Sequence, residues 1–126
     1  RPGVPGLSER IRVRSVVDRF LEHTRVVRFE NGGRPAFWIG SADWMPRNLR
    51  GRVEVMCRIR SDSIAQRLEE ILDVYRHDDV KARQLEADGS YRRVATVNGV
   101  RAQEWLIQRA LAMAGATLVQ ARPERE

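Results

Sequence analysis

An Asn-Gly-Gly turn between two apolar segments constrains the fold more than any other feature of this sequence. Residues 25–30 (RVVRFE) and 35–41 (PAFWIGS) are rich in β-branched and aromatic side chains, which favour strands. Asn and Gly tolerate the positive φ angles of tight turns, so residues 31–33 predict that the two segments pair as a hairpin. A third segment, 52–59 (RVEVMCRI), alternates apolar and polar residues, which predicts a half-buried strand with Cys57 on its core face.

Helices alternate with these strands. Ser15 and Asp18 have the spacing of a capping box, which predicts a short helix that begins near Ser15 and ends near His23. Apolar residues at helical spacing predict a longer helix over residues 62–75 and a last helix over about 100–114.

Two short segments between the predicted helices, 80–85 and 91–96, flank a turn and predict a second strand pair. The segment 42–51 is predicted as a loop. Strands and helices are therefore mixed, which is typical of an α/β or α+β layer fold. No repeat or linker divides the chain, and 126 residues suit one compact domain, so we expect a single domain over residues 1–126.

Composition and charge exclude several classes of protein. The chain carries one cysteine, so it forms no internal disulfide and no cysteine-based zinc site. No apolar run approaches the ~18 residues of a membrane span. The net charge is +6, from 23 basic and 17 acidic residues. Of the basic residues, 22 are arginines and one is a lysine, Lys81. Arginine binds phosphate oxygens in pairs, but a general replacement of lysine by arginine explains the count equally well. The arginine count alone therefore does not indicate phosphate binding, and only arginines at particular positions can.

His23 and Arg25 begin the pattern that carries chemistry. Residues two apart on an extended chain point the same way, so both side chains can face one ligand. An imidazole can transfer a proton or attack phosphorus, and a guanidinium offsets the charge that develops on a phosphoryl group. Glu30 has an odd offset from Arg25, and an orienting role for it stays open. The turn after the hairpin supplies a hydroxyl donor, Ser41, and a carboxylate able to bond the imidazole, Asp43.

The order of these residues, H-x-R-x4-E followed after a hairpin by G-S-x-D, resembles the phospholipase D superfamily signature, H-x-K-x4-D followed by G-S-x-N. Arginine replaces lysine, glutamate replaces aspartate, and aspartate replaces asparagine, and these departures argue against an ordinary phosphodiesterase activity. The resemblance implies a phospholipase D-like fold, a mixed β-sheet flanked by helices, that forms one half of a two-motif catalytic unit. Such chemistry needs two motifs, because one histidine takes the phosphoryl group while the other handles the proton.

Longer segments narrow the resemblance. The segments RPGVPGLSERIRVRSVVDRFLEHTRVVRFENGG, SADWMPRNL and DVKARQLEADGSYRRV are similar to the last catalytic domain of bacterial polyphosphate kinases, over roughly residues 1–110. The resemblance implies reversible transfer of the terminal phosphate of ATP to a polyphosphate chain, through a phosphohistidine on a preceding domain. It also implies ATP or ADP and Mg²⁺ as cofactors of the full-length enzyme. The implied partners are polyphosphate, the remaining domains and further copies in a homo-oligomer, with no nucleic acid, in the cytoplasm or at the periphery of the inner membrane.

The resemblance also implies roles for single residues. His23 matches the second of two active-site histidines, which acts as general acid or base or stabilises phosphate opposite the phosphohistidine. Arg52, at the start of RVEV, matches an arginine that holds the nucleotide phosphates. The superfamily pattern adds Arg25 and Asp43 as catalytic groups. It also adds Ser41 and Asn48 as groups that bind phosphate or nucleotide. No metal ligand is expected among them.

Structural interpretations stay open for several residues. His23 can also be a capping or core-edge histidine at a helix end, and Arg52 can be a surface strand residue paired with Glu54 or a neighbour. His77 suits the last turn of its helix, where a cation meets the negative end of the helix dipole. Arg92 and Arg93 can contact a long polyanion, although a solvated hairpin is the simpler interpretation.

One motif is half a site, and three explanations follow. The first is a fragment of a larger kinase, inactive alone, whose preceding domain carries the phosphorylated histidine. The second is a dimeric phosphodiesterase or nuclease in which each copy donates one His23. The third is a non-catalytic polyanion-binding module, whose binding falls steeply with salt and survives His23→Ala. The order of the motif residues has no role in the third explanation, which ranks last.

Overall fold

Strands and helices are combined in two small antiparallel sheets with helices, which confirms the predicted α/β fold class. A computed structural model describes residues 1–120, with side chains as far as residue 115, and residues 121–126 of the predicted domain lie outside this part. In chain order the elements are β1 (Arg14–Val16), β2 (Val26–Phe29), β3 (Ala36–Gly40), α1 (Pro46–Gly51), β4 (Met56–Ile59), α2 (Asp62–His77), β5 (Ala82–Leu85), β6 (Tyr91–Arg93) and α3 (Ala102–Gln120).

The chain divides into two compact units. One contains residues 1–20 together with those from 73 onward, and the other contains residues 21–72. The first unit holds a sheet in the order β1-β5-β6, and the second holds a sheet in the order β2-β3-β4. The single domain over residues 1–126 stays a prediction. Within residues 1–120, no helix has both the length and the apolarity needed to cross a membrane.

The unit of residues 21–72 is built around the hairpin. β2 and β3 pair antiparallel, with Val26 opposite Ile39 and Phe29 opposite Ala36, which confirms the predicted hairpin. All three residues of the Asn-Gly-Gly turn have positive φ angles, of 49°, 62° and 82°. Glycine adopts such angles without a steric penalty, and asparagine tolerates them better than most residues. β4 pairs with the other side of β3, where Phe37 is 4% exposed.

The third predicted strand is confirmed as β4, but it begins only at Met56, and the assignment of Cys57 to a core face is wrong. Cys57 is exposed, although the register places it on the same face of the sheet as Phe37. α2 reaches this face at Arg28, whose Nε lies 2.5 Å from a carboxylate oxygen of Glu69, and Cys57 lies beyond that row. Alternation identifies one face of a strand, but it does not show whether another layer covers that face.

The helix predicted near Ser15 is wrong, because β1 occupies this position and pairs antiparallel with β5. Asp18 caps no helix: its carboxylate, 2% exposed, accepts hydrogen bonds from Arg101 at 2.6 and 2.8 Å. The side-chain amide of Gln103 then bonds both the N–H and the C=O of Phe20, at 3.0 and 2.9 Å. Tertiary contacts therefore override the local capping signal.

Two buried aspartates after α2 fix the loops of the first unit. Asp78 is 0% exposed, and its carboxylate accepts hydrogen bonds from the backbone N–H groups of residues 80–82 and of Ala102, the first residue of α3. Asp79 accepts hydrogen bonds from the four backbone N–H groups of residues 97–100. The pair therefore holds both the segment that leads into β5 and the segment that leads into α3.

Acid should destabilise this unit, because two of its carboxylates are ionised and bonded in the folded state. The backbone N–H groups of Asn98 and Val97 lower the pKa of Asp79, and the Arg101 guanidinium lowers the pKa of Asp18. A lowered pKa stabilises the fold above the unfolded-state value of about 3.9, and this contribution is lost as the pH falls through the folded-state value. We expect the urea midpoint of unfolding to fall once the pH drops below about 4.

The comparison with Asp79→Asn isolates one of these groups. At about pH 7 this variant should unfold at a lower urea concentration than the unsubstituted chain, because an amide replaces an ionised acceptor by a weaker one. At about pH 3 the two midpoints should lie closer together, because Asp79 of the unfolded chain, with a pKa of about 3.9, has then taken up a proton and the contribution of the carboxylate to stability is smaller. A gap that stays constant over this pH range would contradict the assignment.

Candidate functional site

The strand ends of the unit of residues 21–72 bring the motif residues together. His23 and Arg25 precede β2, whereas Ser41 and Asp43 follow β3. Because β2 and β3 run antiparallel, the start of one lies beside the end of the other. The N–H of Gly40 donates a hydrogen bond to the carbonyl oxygen of Arg25, at 3.1 Å. The hairpin register therefore places both halves of the motif at one edge of the sheet.

Gly40 allows β4 to approach this edge closely. A Cβ at this position would lie 2.8 Å from the carbonyl oxygen of Val55 and would collide with the side chain of Met56. The next residue then ties the strands together: the N–H of Ser41 donates to the Val55 carbonyl, and the Val55 N–H donates to Ser41 Oγ, both at 3.1 Å. The first two positions of G-S-x-D thus have a structural reason in this chain.

Arg25 is the centre of the cluster. Its Nε donates to Asp43 Oδ1 at 2.8 Å, its Nη1 donates to the backbone carbonyl of His23 at 3.1 Å, and its Nη2 lies 3.4 Å from His23 Nδ1. The Arg25 side chain is 24% exposed and the Asp43 side chain 37%. A guanidinium has five N–H groups, so two of them remain for a ligand.

Arg25 and Asp43 stabilise each other's charged forms. The hydrogen bond from Arg25 lowers the pKa of Asp43, and the charges of Arg25 and Arg47 lower it further. The carboxylate in turn raises the pKa of Arg25. Asp43 is therefore an ionised acceptor that orients the guanidinium. The sequence offered Asp43 as a partner of the imidazole, but its hydrogen bond goes to Arg25.

His23 is exposed, and no helix ends at this residue, so the capping interpretation does not apply to it. A guanidinium can only donate hydrogen bonds, so His23 Nδ1 is the acceptor in its contact with Arg25. In the neutral imidazole the proton is then on Nε2. Within residues 1–115 this Nε2 makes no hydrogen bond, and it can donate to a phosphoryl oxygen.

Glu54 is a site residue that the sequence analysis missed. Its carboxylate accepts hydrogen bonds from Ser41 Oγ and, at 3.3 Å, from Asn48 Nδ2. Asn48 is 2% exposed and belongs to α1, a short helix with Pro46 in its first turn, where the sequence predicted a loop. Within the described side chains, Asn48 Oδ1 has no hydrogen-bond partner. In this conformation, Ser41 and Asn48 therefore support the position of the motif residues through their hydrogen bonds to Glu54.

Arg52 lies apart from this bonded network. It directly follows α1 in an extended conformation, with φ −129° and ψ 155°, four residues before β4 begins. Its side chain is exposed and forms no hydrogen bond or ion pair with the described residues. Glu54 is two residues further along the chain. The structure thus joins His23, Arg25 and Asp43 directly and leaves Arg52 free to bind an anion.

The carboxylates of this unit do not fit a magnesium site. Among the described residues, no group of three or more His, Cys, Asp and Glu side chains could hold a metal ion. Asp43 is bonded to Arg25, and Glu54 is bonded to Ser41 and Asn48. The cluster instead presents an imidazole and guanidinium groups, which suit the oxygens of a phosphate.

Sequence comparison connects this geometry with known proteins. A family model described as polyphosphate kinase C-terminal domain 2 matches residues 1–104. The polyphosphate kinase of Rhodopirellula baltica is 50% identical over 94 residues, which are 75% of this chain and 11% of that protein. The polyphosphate kinase of Pseudomonas aeruginosa is 46% identical over 95 residues, which are 75% of this chain and 14% of that protein.

Structural comparison gives the same result. The crystal structure of polyphosphate kinase from Porphyromonas gingivalis matches with a TM-score of 0.78 and 35% identity, over 90% of this chain and 18% of that chain. This likeness supports the phospholipase D-like α/β fold. The chain spans only 11% to 14% of the length of the curated relatives it matches.

Proposed function

The chain belongs to the polyphosphate kinase C-terminal domain 2 family, and on this premise we propose that it supplies one half of an ATP:polyphosphate phosphotransferase site. The other half, with the histidine that takes the phosphoryl group, belongs to a preceding domain of the parent enzyme. One observation carries the proposal: Arg25 is bonded at once to Asp43 and to His23, and the imidazole is left exposed. This is a phosphate-binding and proton-transferring arrangement that lacks its own phosphoryl acceptor.

Each residue of the cluster has a role in this proposal. His23 donates the Nε2 proton to a phosphoryl oxygen, or accepts a proton there in the reverse direction. Arg25 uses its two remaining N–H groups to offset negative charge on the transferred group. Asp43 holds the guanidinium in place, and Arg52 binds the phosphates of the nucleotide. A guanidinium suits this last role because its planar fork matches two phosphate oxygens at once.

Three further residues act as positioning residues. Ser41 bridges β3 and β4, and its hydroxyl group donates to Glu54. Asn48 donates to the same carboxylate from α1. This network ties the turn after β3 to the segment that contains Arg52, so it fixes Asp43 and Arg52 relative to the same part of the backbone.

The proposal extends to cofactors and partners of the parent enzyme. ATP or ADP and polyphosphate are its substrates, and Mg²⁺ supplies charge neutralisation for the nucleotide without ligands from the described part of this chain. The remaining domains of the parent complete the site, and the full-length protein forms a homo-oligomer. We place it in the cytoplasm or at the periphery of the inner membrane.

A domain exchange tests the proposal. Residues 1–104 replace the matching domain of the Pseudomonas aeruginosa polyphosphate kinase, which is 46% identical over 95 residues. We expect the chimera to transfer labelled terminal phosphate from ATP into polyphosphate, because the family match includes the whole His23 cluster. The 126-residue chain alone, incubated with the same ATP and Mg²⁺, should neither make polyphosphate nor become labelled, since it carries one motif of two.

Two results would contradict the proposal. One is phosphate label on a histidine of the isolated chain, which would make the chain a complete acceptor. The other is a chimera that folds and assembles like the parent enzyme but makes no polyphosphate. Cleavage of a phosphodiester reporter by the isolated chain would instead favour the dimeric hydrolase.

A further inference from the structure

Two arginines face each other across the sheet of the first unit. β5 and β6 pair antiparallel, with Arg83 directly opposite Arg93. Directly opposite residues project from the same face of a sheet, with Cβ atoms about 4.5–5.5 Å apart, and like charges at such positions are destabilising. Neither side chain forms a hydrogen bond or ion pair with the described residues. The strand pair therefore maintains an unfavourable juxtaposition of two cations.

Other arginines of this sheet are compensated. Arg92, the neighbour of Arg93 on β6, projects from the opposite face, and its Nε lies 3.0 Å from a carboxylate oxygen of Glu86. Arg14 on β1 donates a hydrogen bond to the backbone carbonyl of Arg76. Lack of a partner is thus a property of one face, not of the sheet as a whole.

The same face offers a further group to an anion. Ser15 lies opposite Arg83 on β1, so a small hydroxyl-bearing side chain borders the arginine pair. Arg93 is exposed and Arg83 is half-buried. The basic face, defined by Arg83 and Arg93, is open to solvent.

We propose that the basic face binds a segment of the polyphosphate chain, as a second substrate contact in addition to the His23 cluster. The inference rests on the proposed function for the identity of the substrate. Neighbouring strands are about 4.8 Å apart, so the two guanidinium groups can contact the same short stretch of a polyanion. Adjacent phosphates of polyphosphate share one oxygen, so more than one of their charges falls within that distance, whereas a sugar separates the phosphates of a nucleic acid. A pair of cations at this spacing therefore suits the denser polyanion.

Binding of end-labelled polyphosphate to the 126-residue chain, measured at several salt concentrations, tests the inference. Arg83→Ala and Arg93→Ala should each weaken binding about fivefold and lower the slope of log affinity against log salt by about one, as expected for one lost phosphate contact. Arg92→Ala is the matched control, because it removes the same charge from the same strand but on the other face. We expect it to change affinity less than twofold.

Each alternative result is decisive. An equal loss in Arg92→Ala would reduce the effect to net charge and overturn the proposal, as would an absence of polyphosphate binding. Tighter binding of single-stranded DNA, with the same dependence on Arg83 and Arg93, would replace polyphosphate by nucleic acid as the occupant. Melting temperatures of Arg83→Ala and Arg93→Ala should not fall, because each of these substitutions removes a repulsion. If the chimera makes polyphosphate but Arg83→Ala and Arg93→Ala do not change polyphosphate binding, only this inference is refuted. If the chimera is inactive but the two substitutions weaken binding as expected, only the proposed function is refuted.

Discussion

His23→Ala in the chimeric kinase is expected to lower the rate of polyphosphate synthesis by about 10²–10⁴-fold, the contribution typical of a positioned acid or base. The imidazole is exposed, and its Nδ1 faces the Arg25 guanidinium, so Nε2 is the atom left to act on a phosphoryl oxygen. Alanine removes that atom and leaves the bond between Arg25 and Asp43 intact. The measurement is the initial rate of label transfer from ATP, at saturating ATP and polyphosphate.

The control is His77→Ala. His77 is also exposed, with 63% of its side chain accessible, and its Nδ1 lies 2.9 Å from the backbone carbonyl of Asp73 in the last turns of α2. It belongs to no phosphate-binding cluster, so we expect its variant to keep the activity of the chimera. Substitutions of exposed residues usually change stability by less than about 0.5 kcal/mol, and melting temperatures should confirm that both variants are folded.

Free imidazole adds a chemical test of the role of His23. The site is open, so imidazole in solution can enter the space left in His23→Ala and restore part of the rate. Rescue in this variant, and none in Arg25→Ala, would identify proton transfer as the lost function. A rate within about threefold of the unsubstituted chimera would show that His23 is not the acid or base.

Local sequence signals predicted the secondary structure best where the element depends only on residues within the same short segment. The positive φ angles of residues 31–33 need the Asn-Gly-Gly sequence itself, and the periodicity of α2 lies entirely within one segment. The capping box at Ser15 failed for the opposite reason. Its Asp18 bonds Arg101, 83 residues away in sequence, and no local pattern reveals a partner at that distance.

The candidate site was predicted to a similar extent. The spacing of His23 and Arg25 placed them on one side of the chain, and the superfamily order added Asp43, which indeed meets Arg25. Glu54 was missed because its contact with Ser41 depends on the close approach of β4 at Gly40. That approach is a matter of register between strands, which the sequence of each strand does not determine.

The burial of Asn48 is a second feature that the local sequence did not predict. The sequence predicted a loop and a group that binds phosphate or nucleotide, whereas the residue is 2% exposed on α1 and donates to Glu54. Pro46 was a usable signal, since proline is favoured in the first turn of a helix. The six-residue length of α1 nonetheless leaves too few positions for helical periodicity to be recognised.

Asp78→Ala is expected to cause the largest loss of stability, about 3–5 kcal/mol. The Asp78 side chain is fully buried and accepts four backbone hydrogen bonds, with distances from 2.7 to 3.2 Å. Alanine would remove the acceptor of the N–H groups of Lys81, Ala82 and Ala102, while the Val80 N–H keeps its bond to the Val100 carbonyl at 3.3 Å. Each unsatisfied buried group costs about 1–3 kcal/mol before the structure relaxes. The measurement is the free energy of unfolding in urea, with the melting temperature as a second readout.

Asp73→Ala provides the matched control, because Asp73 lies on α2, five residues before Asp78, and its side chain is 55% exposed, in an ion pair with Arg76 and in contact with His77. Exposed pairs of this kind contribute up to about 1 kcal/mol, so its variant should unfold close to the unsubstituted chain. The free energy of unfolding of Asp78→Asn should lie between those of Asp78→Ala and Asp73→Ala. Its oxygen can still serve residues 80–82, but its NH₂ group would face the N–H of Ala102, donor against donor. If Asp78→Ala and Asp73→Ala unfold at the same urea concentration, the carboxylate does not hold the two loops, and the start of α3 must be fixed by other contacts.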